Sequence, residues 1–82
     1  MKLITSWRKL PPALRNHLIE RVKARHISVA DLQKFDFWLR RDPDVPAGKW
    51  FRDFGSFVLC GEGSLITTFL EPHMIPHGEQ VF

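Results

Sequence analysis

Tyrosine is absent from the 82 residues, cysteine occurs once, and no apolar run is long enough to cross a membrane. Each absence excludes something. Without a phenol, any acid–base scheme that relies on tyrosine is closed. With Cys60 alone, an internal disulfide and a cysteine-rich zinc site are excluded, and the single thiol fits a reducing, cytoplasmic setting. The opening MKLITSWRKLPP has too few apolar residues before Arg8 and Lys9 for a signal peptide or a membrane span, so no membrane partner is expected. The length predicts a single domain over 1–82, near the lower size at which one hydrophobic core suffices. No internal repeat is present.

Acidic residues are scarce in the first half. Residues 1–41 carry ten Lys/Arg against three Asp/Glu, a balance of +7, whereas residues 42–82 carry two against six, a balance of −4. The basic half is also the half with helical periodicity. Such asymmetry points to a nucleic-acid or acidic-protein partner and equally serves solubility.

The periodicity predicts a helical half over 11–41, a β-meander over 49–70 and a tail over 71–82. KLITSW (2–7) reads as a short first strand or a frayed lead-in. Pro11 and Pro12 suit a first helical turn, where an N–H is orphaned anyway, and Leu14, Leu18 and Val22 then recur every fourth residue to Arg25. Ser28 followed by Asp31 resembles a capping box with a shortened acid. It opens a second helix from Val29 to Arg40 or Arg41 that carries Leu32, Phe35 and Leu39. DPDVPAG ends the helical half. The runs KWFRDF, FVLC and SLITTFL are short, aromatic or β-branched and bounded by glycine, which predicts three antiparallel strands joined by a two-residue Gly55-Ser56 turn and a longer Gly61-Glu62-Gly63 turn.

The expected fold class is therefore α+β: a short N-terminal strand, two helices, and a three- to four-stranded antiparallel sheet in the order β-α-α-β-β-β, with the helices on one face. The core is expected from Leu14, Leu18, Val22, Ile27, Leu32, Phe35 and Leu39 against Phe57, Leu59, Ile66 and Leu70. Trp38 is expected to be buried or at an oligomer contact.

In HLIERVKARHIS (17–28), His17, Arg21 and Arg25 stand four residues apart and form a file beside the apolar stripe of the first helix. One reading is a boundary row of long side chains lying over the core. The other is a row that handles phosphate.

The same segment is similar in type and spacing to His-Ala-x-Glu-Arg-x-x-x-Arg-Gly-Ile-Ser, which opens a bacterial family of unknown-function domains grouped with the RelE-like and barnase/EndoU/colicin-like metal-independent ribonucleases. His17, Glu20, Arg21, Arg25, Ile27 and Ser28 carry the likeness, Asp31 fits the acid early in the second helix, and FVLCGEGSLITTFL resembles the closing hairpin with its threonine. The resemblance spans about residues 14–70. Leu18 replaces a small residue, and His26 stands where the turn usually has glycine. The resemblance implies a toxin-like RNA-cleaving domain in which the 2′-hydroxyl attacks the adjacent phosphate. Such chemistry needs a proton acceptor, a proton donor and cations for the phosphorane. His17 would exchange the proton, Arg21 and Arg25 would hold the phosphate, and Thr67 or Thr68, whichever faces the helix, would donate a hydrogen bond. No cofactor is implied.

Arg15, Lys23, Trp50 and Arg52 are the expected RNA contacts outside the file, with Trp50, Phe51 or Phe54 either stacking on bases or lying in the core. A metal site from His73, His77, His26 and Cys60 is disfavoured, because Pro76 interrupts the His73–His77 spacing and no acidic cluster completes a shell. Cys60, with no histidine near it in sequence, reads as a small apolar residue. The expected partners are RNA and an acidic antitoxin or immunity protein. The alternatives are a non-catalytic RNA- or antitoxin-binding module and a homodimeric interaction protein.

Overall fold

A computed structural model describes residues 2–3 and 10–82. It contains α1 (Pro12–Lys23), α2 (Val29–Arg40), β1 (Lys49–Asp53), β2 (Val58–Glu62), β3 (Leu65–Leu70) and β4 (Glu79–Gln80). The class is α+β. Of the expected first strand, Lys2 forms an isolated antiparallel bridge with Asp44, and the Leu3 N–H donates to the Pro43 carbonyl at 3.2 Å. The rest of KLITSW lies outside the described residues.

Pro11 precedes α1 in an extended conformation and its carbonyl accepts from the Arg15 N–H, so the two prolines open the helix where no donor is needed. The helix ends at Lys23, two residues short of the expected Arg25. Arg25 takes a left-handed φ of 62°, its N–H bonds the Val22 carbonyl, and the His26 N–H reaches back to Arg21. This pair of bonds is a Schellman motif, and it stops the helix by satisfying carbonyls that another turn would have used. In α2 the Ser28 Oγ accepts from the Asp31 N–H at 3.1 Å, as the cap pattern predicts. Asp42, just before Pro43, closes that helix with φ 52°.

The sheet order is β3-β2-β1-β4. β1, β2 and β3 form the expected antiparallel meander. The fourth strand comes from the tail: β4 pairs in parallel with β1, Trp50 opposite Glu79 and Phe51 opposite Gln80, so the sheet is mixed. Gly78 makes this approach possible. A Cβ there would collide with the Lys49 carbonyl, and its φ of 105° disfavours any other residue. The first hairpin turns on Gly55-Ser56 as expected. The second turns on Gly63-Ser64, since Glu62 is already paired with Leu65 and Gly61 lies inside β2.

Both helices cover one face of the sheet. Phe35 packs edge-on to Phe54 and Phe57, Trp38 meets Trp50 and Phe54, and the His17 ring lies 4.8 Å from that of Phe69. Leu18, Ile27, Phe35, Phe57, Leu59 and Ile66 are buried as the pattern predicts, and Leu14, Val22, Leu32 and Leu39 pack around them. Trp38 belongs to the same core. Leu70 does not. A register shift between Cys60 and Gly61 pairs Cys60 with Thr68 and Gly61 with Ile66, leaving Thr67 as an extra residue. The inward position after Ile66 therefore passes to Phe69, because a bulge inverts the alternation beyond it.

Candidate functional site

The His17, Arg21, Arg25 file is only partly realised. His17 and Arg21 lie one turn apart on α1, while Arg25 sits in the left-handed exit turn, exposed to solvent. Arg21 is half-buried because α1 packs beside the end of β3, and there the chain supplies a partner the sequence did not reveal. Its Nη2 donates to Oε1 of Glu71, the residue that follows β3. The other carboxylate oxygen of Glu71, Oε2, lies 3.4 Å from Nε2 of His73. The Arg21 Nε is buried and has no hydrogen-bond partner.

Glu71 is thus an oxyanion bracketed by a guanidinium and an imidazole. The hydrogen bond and charge of Arg21 lower its carboxyl pKa; burial opposes this, and the nearby His73 and His26 lower it further. His17, whose ring lies 4.8 Å from that of Phe69, stands one turn before Arg21 on α1, and Lys23, Arg25 and His26 are exposed at the end of that helix and its exit turn. The arrangement can hold an anion by charge-assisted hydrogen bonds. Nothing in the local pattern of Glu71-Pro72-His73 announces this role. The pair is found only once β3 is known to run beside α1.

Thr67 and Thr68 are not in this group. Both are exposed, and the bulge sets them on the side of the sheet away from the helices, where the Thr67 Oγ1 donates to the Cys60 carbonyl at 3.3 Å. The expectation that one of them faces α1 is therefore corrected: the inward position belongs to Phe69. The two threonines line a shallow groove of about 400 Å³ with Lys49, Cys60, Glu62 and His77. Burial pushes the Cys60 thiol pKa up, which keeps it protonated and weakly nucleophilic.

Trp50 is a second correction. It is 0% exposed and its indole N–H donates to the Gly63 carbonyl at 2.9 Å, so it offers no face to a base. Phe54 is also core, and Phe51 is half-buried. Arg15 is half-buried on α1. Arg52 lies against Trp38 and Phe54, on the β1 side of the molecule. Among the described residues, no three His, Cys, Asp or Glu side chains converge as a metal site, and no helix is long and apolar enough to cross a membrane. Comparison with protein-family models, curated proteins and solved structures gives no match.

Proposed function

We propose that the protein binds single-stranded RNA through the end of α1 and its exit turn, with a backbone phosphate exchanging for the Glu71 carboxylate. The supporting observation is the bracket itself: Arg21 and His73 approach the two oxygens of one carboxylate, as a guanidinium and an imidazole would approach two phosphate oxygens. Lys23 and Arg25, exposed at the end of α1 and in its exit turn, supply further cations for neighbouring phosphates. An acidic antitoxin or immunity protein would meet the same cations with carboxylates of its own.

Metal-independent cleavage is the second reading. His73 on the Glu71 carboxylate favours it, since a carboxylate fixes the orientation of an imidazole. His17, one turn from Arg21, would be the partner in proton exchange.

Affinity for a fluorescent oligoribonucleotide, measured by anisotropy across a salt series, tests the binding. Arg21→Ala is expected to weaken it about tenfold and flatten the salt slope, and Glu71→Gln to strengthen it several-fold by removing the internal competitor. Circular dichroism checks that both variants fold. Affinity unchanged in both would refute the assignment. Incubation of the same RNA in EDTA separates the readings: cleavage lost in His17→Ala and His73→Ala marks a nuclease, and salt-sensitive binding without product marks a binding module.

A further inference from the structure

A second cationic group lies at the β1 side of the same sheet face, and among the described residues no ion pair neutralises it. Arg52 occupies the helix-facing row that runs Phe69, Leu59, Arg52 across the three meander strands. The first two positions are buried apolar residues; the third is a guanidinium. Its Cζ lies 5.0 Å from the Phe54 ring centroid and 5.6 Å from that of Trp38, so two aromatic side chains hold the planar group in place. The Arg52 Nε is buried without a hydrogen-bond partner. Arg41, exposed just past the end of α2, is bonded through its backbone N–H to the carbonyl of the same Trp38. Among the described residues no carboxylate forms an ion pair with either arginine. Burial, and after it the charge of Arg41, lowers the Arg52 pKa.

We infer that Arg41 and Arg52 form a binding site for a phosphate oxyanion, with Trp38 and Phe54 holding the Arg52 fork ready. Two arginines suit this ligand because each presents N–H groups in a plane and neither loses its charge at physiological pH. Arg52 is half-buried and held, and Arg41 is exposed to solvent. The site is separate from the Arg21–Glu71–His73 bracket, which lies beside β3, and stands or falls without it.

The test follows the Arg52 Nε–H resonance by NMR while inorganic phosphate is added, with sodium chloride at matched ionic strength as the control. A saturable shift with phosphate and none with chloride is expected. Arg41→Ala, a change at an exposed position, is expected to weaken the response about tenfold, and Arg21→Ala to leave it unaltered. Equal responses to the two salts, or full phosphate affinity in folded Arg41→Ala, would overturn the site. Competition then identifies the source of the phosphate. Displacement by a short oligoribonucleotide assigns it to a nucleic-acid backbone, and displacement by a nucleoside monophosphate alone assigns it to a free nucleotide.

Discussion

Trp50 and Gly61 show how much one close approach decides. The Trp50 ring lies against Gly61 so closely that an added Cβ would overlap its six-membered ring. Gly61 therefore serves a strand position, although its place in Gly-Glu-Gly reads as a turn. The same contact draws Trp50 inward and removes it from any role in stacking with bases. Gly61→Ala is expected to destabilise the domain by about 1–3 kcal/mol, the usual cost of forcing extra volume into a packed interior. Chemical denaturation checks this, and retention of the full wild-type midpoint would mean that the ring can move aside at little cost.

At the scale of the element, the exit of α1 carries a conflict between stability and charge. A left-handed residue other than glycine is strained, and Arg25 occupies that position in the Schellman motif. Arg25→Gly is expected to stabilise the protein by about 1 kcal/mol in urea titration and to lower RNA affinity by removing a cation. The two readouts moving in opposite directions would indicate a residue kept for binding. Greater stability with undiminished affinity would take Arg25 out of the interface. β3 offers a parallel case. Its bulge places Thr67 and Thr68 on the outer surface and Phe69 beneath α1, so this strand contributes a ring to the His17 neighbourhood instead of a hydroxyl.

The whole molecule is latched between its layers by Asp31. Its Oδ2 accepts from the Ser56 N–H at 2.8 Å, Lys34 lies 3.4 Å from Oδ1, and the Ser28 N–H donates to the Ser56 Oγ at 3.0 Å, which ties the start of α2 to the β1–β2 hairpin. Burial raises the Asp31 carboxyl pKa, but hydrogen bonds from the Ser56 side chain and backbone, Ser28 and Lys34 outweigh it and hold it lowered to about 2. A carboxyl with a folded pKa below its unfolded value stabilises the fold above the unfolded value, here 3.8, and loses that contribution as pH falls through about 2. After solvent screening the contribution is on the order of 1 kcal/mol. Asp31→Asn is expected to reduce stability at neutral pH and to flatten its loss between about pH 4 and pH 2, as followed by thermal melts. An unchanged acid limb would show that the latch adds nothing to cohesion.

The sequence by itself determined the two helices, the Ser28 cap and the three meander strands, because each depends on neighbours within a turn or two: prolines where donors are spare, a serine three residues before a free N–H, glycines between β-branched runs. It also marked most of the helical core, since a repeat every fourth residue selects one face. Tertiary structure alone decided the fourth strand, the bulge at Thr67, the burial of Trp50 and the pairing of Arg21 with Glu71, fifty residues away along the chain. These depend on which surfaces meet when α1 settles beside β3 and the tail beside β1. No local hydrogen bond or short-range periodicity encodes such meetings, because their free energy comes from burying distant groups against one another.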